Sequence, residues 1–340
     1  MKAIVVDANY GSVNREELDY ISNTFQKADI EVQIEHFETE EEIIQGCRGA
    51  DAILATGNPP LTKSVLEQLP SLKYIQRFGI GVNSIDLEAA TRFGKIVLNI
   101  PGFCATELAD LAMSMILSLV RNTGFYDREI RKGYWPKCQY LLPPNLRRLT
   151  IGFFGFGQSA QELYRIVSRG YGMKVIACDP YLPYEIKEKF SEVEFIDFQT
   201  LLKNSDIISI HVGLSQETFH IWNEEAFEEM KNNAILINTS RGPIIDTSAL
   251  IYALEQGKIR GAGLDTFEEE PISQNSPLLQ MDNVVLSPHC GSYGEEAKRE
   301  QIESVCRLIP RAVQEGRVSV KNVANKSVIN TLRQIRWEEV

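Results

Sequence analysis

The chain has 340 residues, enough for two domains of ordinary size. Its 44% hydrophobic and 24% charged residues are those of an average globular protein. A formal net charge of −11 argues against non-specific binding to nucleic acid or to an anionic membrane. The most membrane-like stretch, "LAMSMILSLV", has ten uncharged residues, too few to span a bilayer. The opening run "MKAIVVDANYG" is too short for a signal segment, so a cytoplasmic protein is expected. Cys47, Cys104, Cys138, Cys178, Cys290 and Cys306 lie far apart with no C-x-x-C, as expected of free buried thiols in a reducing compartment. His36, His211, His220 and His289 include no i, i+4 pair, so no metal site is expected.

Taken in order, the strand candidates are "AIVVD" (3–7), "VQIEHF" (32–37), "DAILAT" (51–56), "LKYIQRF" (72–78) and "KIVLNI" (95–100). Then come "TIGFFGF" (150–156), "KVIACD" (174–179), "DIISIHV" (206–212), "AILINTS" (234–240), "GAGLDTF" (261–267) and "NVVLSP" (283–288). Helix-length segments separate most of them, which predicts an α/β fold of parallel sheets covered on both faces. Residues 102–149 break the rhythm. They hold a helix near 105–122, with Leu108, Leu111, Ala112, Met115 and Leu119 on one face, then a loop containing Trp135 and three prolines. This reads as the crossover between two doubly wound units, 1–101 and 102–290. A long helix near 294–315 begins a tail, 291–340, that returns to cover the first unit.

Two glycine turns follow strands. A dinucleotide site needs a glycine for the tight turn, a second for close approach of backbone to the diphosphate, and a third small residue where helix packs on strand. An acid ending the next strand then holds the ribose hydroxyls. Gly155-Phe156-Gly157-Gln158-Ser159-Ala160 meets all of these, with Asp179 ending the next strand. That carboxylate favours NAD and repels the 2′-phosphate of NADP. The earlier turn, Gly79-Ile80-Gly81, has Ser84 at the third position and no acid ending its next strand. For it the residues leave two readings open: a turn that needs positive φ, or a small nest of N–H groups for a carboxylate.

In a doubly wound sheet, ligands bind at the carboxyl ends of the strands. The polar residues arriving there are His211, Thr239, Ser240, Arg241, Asp265, the run Glu268-Glu269-Glu270 and His289. Hydride exchange between a nicotinamide and a 2-keto or 2-hydroxy acid needs such a set. A histidine gives the carbonyl oxygen a proton near neutral pH. A carboxylate holds its ring and favours the imidazolium, and an arginine fork clamps the substrate carboxylate. In an extended run neighbours point opposite ways, so Glu269 should face water, away from Glu270. Periodicity leaves Glu268 and Glu270 equal as the partner.

The segments "RFGIGVNSIDLEAA", "TIGFFGFGQSA", "INTSRGPIIDTSALIYALEQGKIRGAGLDTFEEEP" and "VVLSPHCGS" resemble the D-isomer-specific 2-hydroxyacid dehydrogenase family over nearly the whole chain. The long third segment is the specific one. The resemblance implies a Rossmann NAD-binding domain, 102–290, and a flavodoxin-like substrate domain split between 1–101 and 291–340. It implies Arg241 as the substrate-orienting arginine, His289 as the acid/base and Glu270 as its partner. Ile80 and Gly81 fall where main-chain N–H groups meet the substrate carboxylate. Gly155, Gly157, Gln158, Ser159, Asp179, His211, Thr218, Thr239, Ser240 and Asp265 fall at cofactor positions.

The implied activity is NAD-dependent 2-ketoacid reduction, with phosphoglycerate dehydrogenase and hydroxypyruvate or glyoxylate reductase as variants. A corepressor of the same fold that binds NADH without turnover is the second reading, against which Ser292 stands where its pocket tryptophan is expected. Tyr293, Gly213 and Leu108 depart from the family pattern, and Glu270 argues against formate dehydrogenation, where glutamine faces the histidine. The apolar helix at 105–122 leads us to expect a homodimer. Glu268 and Glu269 are expected to be a solvated turn.

Overall fold

The computed structural model of the chain describes residues 1–6, 14–136 and 142–339. Two compact units divide the chain, Met1–Phe103 with Glu295–Val340, and Cys104–Gly294.

The first unit alternates β1 (Lys2–Val6), α1 (Arg15–Gln26), β2 (Glu31–Glu35), α2 (Glu40–Gly46), β3 (Ala52–Ala55), α3 (Lys63–Glu67), β4 (Tyr74–Arg77), α4 (Leu87–Arg92) and β5 (Ile96–Leu98). Polar caps set the helix starts. Thr39 and Glu42 form a reciprocal capping box on α2, and Asp86 accepts from Ala89 N–H at 2.8 Å on α4. The strands pair in parallel in the order β2-β1-β3-β4-β5, the flavodoxin-like arrangement. Every residue of β3 and β5 is buried, because helices cover both faces.

The second unit contains α5 (Ala105–Arg121), α6 (Thr123–Arg131), β6 (Thr150–Phe154), α7 (Gln158–Arg165), β7 (Lys174–Cys178), α8 (Tyr184–Lys189), β8 (Glu194–Phe195) and α9 (Phe198–Asn204). It continues with β9 (Ile207–Ile210), α10 (Glu224–Glu229), β10 (Ile235–Asn238), α11 (Thr247–Glu255), β11 (Gly261–Leu264) and β12 (Val284–Leu286). Its seven parallel strands run β12-β11-β10-β9-β6-β7-β8. The order reverses between β6 and β9, so the Rossmann switch point lies beside the turn after β6. Phe153, Ile116 and Leu163 lie in the core on one face, and Trp222, Leu250 and Phe227 in the core on the other.

The tail completes the first unit. In α12 (Glu295–Glu315), Ile302, Val305 and Ile309 join Phe25 and Ile21 of α1 in one cluster. Further on, Asn325 accepts from Val97 N–H at 3.0 Å and donates to Lys95 O at 2.8 Å and Thr91 Oγ1 at 3.0 Å. Each such buried bond is worth about 1 kcal/mol net, and considerably more is lost if its partner is stranded.

Three readings need correction. Residues 123–131 form α6 where a loop is expected. That helix has no fully buried residue, and it is short; the ion pairs Asp127–Arg131 (2.8 Å) and Arg128–Asp282 (2.9 Å) support it. The tail pairs β13 (Arg317–Ser319) with β14 (Arg336–Glu338) in parallel, in strands of three residues that are too short to show a rhythm. Cys47, Cys104, Cys178 and Cys306 are buried free thiols, but Cys290 is only partly buried, and Cys138 lies outside the described residues.

Candidate active site

The turn after β6 shows why glycine stands at its first position. Gly155 has φ 87°, and a Cβ there would lie 2.7 Å from Val212 Cγ1 and 2.9 Å from the His211 carbonyl carbon. Gly157 is the N-cap of α7 without a side-chain cap, and a Cβ on it would meet nothing within 4 Å. The helix N-terminus therefore opens onto space that a diphosphate can enter. Asp179 follows β7 and spans back to this turn. Its Oδ2 accepts Phe156 N–H at 2.9 Å and its Oδ1 accepts Tyr181 N–H at 3.1 Å. An uncapped helix start, a bare glycine and a carboxylate beside them fit the diphosphate and ribose of NAD.

Other residues expected to touch a cofactor are engaged by the protein itself. Ser159 Oγ lies 3.0 Å from His211 Nδ1, and Ser209 Oγ lies 2.9 Å from its Nε2. The ring packs 5.6 Å from Phe153, and burial pushes the imidazole down to about 3. Thus the His211 ring, partly buried, is held neutral and fixes Ser159, with both ring nitrogens occupied. Thr218 Oγ1 donates to Gly213 O at 2.8 Å and accepts Ser215 N–H at 2.8 Å, closing the 213–218 turn. Thr239 is buried, while Ser240 N–H donates to Asn238 Oδ1 at 3.0 Å and its hydroxyl donates to Val212 O. Gln158 is exposed at the first position of α7.

The catalytic candidates meet through one close backbone approach. A Cβ on Gly242 would fall 1.9 Å from the Phe267 carbonyl carbon, so only glycine lets the loop after β10 lie against the loop after β11. This places Arg241 beside the segment that carries Glu270. Arg241 Nη1 donates to Ser240 O at 2.6 Å; burial pushes its pKa down, and the nearby Glu270 and Cys104 oppose that. Glu270 Oε2 lies 2.7 Å from His289 Nδ1, and its Oε1 accepts Phe267 N–H at 3.0 Å. Desolvation works upward on the Glu270 carboxyl. The His289 and Phe267 hydrogen bonds, with the charges of His289 and Arg241, outweigh it and hold the group below its ordinary value. The His289 side chain is 47% exposed.

Asp265, expected at the cofactor, holds the histidine loop. It is 1% exposed; its Oδ1 accepts Ser287 Oγ–H at 2.5 Å and Cys290 N–H at 2.8 Å, and its Oδ2 accepts Gly291 N–H at 2.9 Å. Leu108 packs on the same loop, since a Cβ on Gly291 would lie 2.6 Å from Leu108 Cδ2. Tyr293 is 76% exposed. Glu269 faces solvent, but Glu268 is not merely solvated. It reaches His220 Nε2 at 2.6 Å and accepts Thr247 N–H at 2.8 Å. Sequence reasoning missed Ser209, Asn238 and His220 as supports. Only Ser209, a lone hydroxyl in the buried strand "IISI", carried a signal.

In the first unit, the glycine turn after β4 ties its carbonyls inward. Gly79 O accepts Ile100 N–H at 3.1 Å, Ile80 O accepts Asn99 Nδ2 at 2.8 Å and Gly81 O accepts Arg77 Nε at 2.8 Å. Among the described residues no hydrogen bond takes up the N–H of Ile80 or Gly81. Neither Gly79 nor Gly81 has positive φ, so the turn does not need glycine for that reason, and the two amides are open to an anion.

Residues 113–291 match the family described as D-isomer specific 2-hydroxyacid dehydrogenase, NAD binding domain. The chain belongs to this family. It is 40% identical over 295 residues to a glyoxylate reductase of Thermococcus litoralis, covering 85% of this chain and 88% of that one. It is 38% identical over 275 residues to a hydroxypyruvate reductase of Thermotoga maritima, covering 80% and 88%. The structure superposes with a TM-score of 0.82 on D-lactate dehydrogenase from Aquifex aeolicus complexed with NAD and lactic acid, at 28% identity over 92% of this chain and 96% of that one. Family membership makes the chain an NAD-dependent oxidoreductase of 2-hydroxy acids, and the corepressor reading is not favoured.

The lowered His211 imidazole predicts an acid-side stability loss. Its folded value, about 3, lies below the unfolded value, so the unfolded chain binds the proton more readily. The contribution is full above about pH 6.5 and falls by up to about 1.4 kcal/mol per pH unit as pH drops towards 3. Urea unfolding between about pH 8 and pH 5 should show a shallower acid-side decline in His211→Asn than in the natural protein. Parallel declines would contradict a neutral His211.

Proposed function

We propose that the chain reduces small 2-keto acids to 2-hydroxy acids, with glyoxylate and hydroxypyruvate as its leading substrates. The observation that carries this is the 2.7 Å bond between Glu270 and His289, next to an arginine that Gly242 lets approach. Names and identities of the two reductases above support the substrate class. When bound at Gly155, Gly157, Gln158, Ser159 and Asp179, NADH supplies a hydride for the substrate's C2. Thr218, Thr239 and Ser240 shape the turns that border the cofactor, and His211 and Asp265 act from behind them.

Arg241 clamps the substrate carboxylate and polarises the carbonyl; its partial burial strengthens both effects. Within the first unit, the Ile80 and Gly81 amides are candidate donors for a carboxylate. With Nδ1 held by Glu270, His289 turns Nε2 to the carbonyl oxygen and donates the proton as the alcohol forms. Its exposed ring then recovers a proton from water. Glu270, ionised throughout the working range, stabilises the imidazolium and fixes the tautomer. The first unit serves as the substrate domain and the second as the NAD domain, with boundaries read as 1–101 plus 291–340 and 102–290.

The reading extends to a cytoplasmic homodimer. Free thiols suit a reducing compartment. The apolar face of α5 is consumed inside the second unit by Met115, Ile116 and Leu119. The interface is therefore assigned to Ile130, Tyr134 and Trp135, which are 47%, 64% and 82% exposed.

An NADH-oxidation screen over glyoxylate, hydroxypyruvate, pyruvate, 2-ketoisocaproate, phenylpyruvate and phosphohydroxypyruvate tests the substrate. The highest kcat/KM is expected with glyoxylate or hydroxypyruvate, and preference for phosphohydroxypyruvate would contradict it. His289→Ala should lose about 10²- to 10⁴-fold in kcat while still binding NADH; near-normal turnover would remove His289 from the chemistry. Light scattering should give twice the chain mass of 38.4 kDa. The monomer mass would refute the dimer.

A further inference from the structure

Glu268 lies outside the reacting set, yet it joins the loops that carry two of its members. Three loops leave the carboxyl ends of the adjacent strands β9, β10 and β11: residues 211–222, 239–246 and 265–270. A backbone seam joins the first to the second. His220 N–H donates to Pro243 O at 2.9 Å, Trp222 N–H to Ile244 O at 3.2 Å and Asp246 N–H to Trp222 O at 2.9 Å. The second meets the third where Gly242 lies against Phe267. One side chain then spans all three. Glu268, on the third loop, places Oε1 2.6 Å from His220 Nε2 on the first, and its Oε2 accepts Thr247 N–H at 2.8 Å where the second loop enters α11.

The histidine is itself over-determined. His220 has φ 49°, its ring stacks on Phe219 at 3.9 Å, and its Nδ1 lies 4.0 Å from Asp246 Oδ2. Asp246 in turn caps α11 by accepting from Ser248 and Ala249 N–H at 2.9 and 3.1 Å. A left-handed backbone at a residue other than glycine persists where its surroundings fix it. The carboxylates of Glu268 and Asp246 are the charged groups facing the ring.

We propose that Glu268, held by His220, is a positioning residue for Arg241 and Glu270. Arg241 lies on the loop that ends at Thr247, and Glu270 lies two residues beyond Glu268. Releasing Glu268 frees both loops from the same anchor, and substrate geometry is sensitive to shifts of this kind. A carboxylate suits the place because each oxygen meets a donor. Glutamine keeps one acceptor but turns an amide N–H₂ towards the other donor. This inference rests on the reading in which Arg241 orients the substrate.

The test measures kcat and KM, with the keto acid the natural protein reduces best, for Glu268→Gln, Glu268→Ala, His220→Gln and the double variant Glu268→Ala/His220→Gln. NADH affinity is followed by fluorescence, with thermal unfolding as the measure of folding. Glu268→Ala should raise KM about tenfold and lower kcat less. Glu268→Gln should fall between it and the natural protein, NADH affinity should stay within about twofold, and the double variant should be no worse than Glu268→Ala. Unchanged KM and kcat with a lowered unfolding temperature would overturn the proposal, leaving a structural role only. Multiplying losses in the double variant would also overturn it. If Glu268→Ala does not fold, Glu268→Gln carries the comparison. Full activity of His289→Ala would instead fail the reading of the active site, so the two failures are distinguishable.

Discussion

A single buried carboxylate, Asp265, holds the loop on which His289 sits. It receives Ser287, Cys290 and Gly291 through its two oxygens, while its main-chain carbonyl accepts His289 N–H at 2.8 Å. His289 itself has φ 53°, a left-handed conformation that costs a residue other than glycine about 1–2 kcal/mol. Those four bonds surround the strained residue on both sides and keep its ring turned to Glu270. Removing the carboxylate would strand three donors around the histidine. The placement of His289 beside Glu270 therefore depends on a third, buried group.

Two histidines in one unit show how surroundings set chemistry. His211 lies between two serine hydroxyls against Phe153, one on each ring nitrogen, and is kept neutral by desolvation. His289 is open to water on one side and bonded to an anionic Glu270 on the other. Each follows a strand end, so position alone does not separate them. The difference comes from the partners that folding brings.

That contrast explains what could be read from the sequence. The parallel α/β alternation was legible because buried strands such as "AILIN" leave continuous apolar runs, and the NAD loop because Gly155, Gly157 and Asp179 answer separate demands of one ligand. Arg241, Glu270 and His289 were legible as strand-end polar residues, and the family resemblance chose Glu270 over Glu268. Structure shows why residues alone left them tied, since each carboxylate is bonded to a histidine, Glu268 to His220 and Glu270 to His289. The inward roles of His211 and Asp265 were not legible, because hydrogen bonds between residues 22 to 52 apart leave no periodic trace. Helix α6 was missed because it is short and none of its residues is fully buried.

The central claim is that Glu270 holds His289 as the proton donor. The most direct measurement compares kcat for keto-acid reduction, and NADH affinity, in the natural protein and in Glu270→Gln. The carboxylate at 2.7 Å holds the ring that donates the proton. Its loss should lower kcat about 10²-fold or more while NADH still binds. An unchanged kcat would contradict the account.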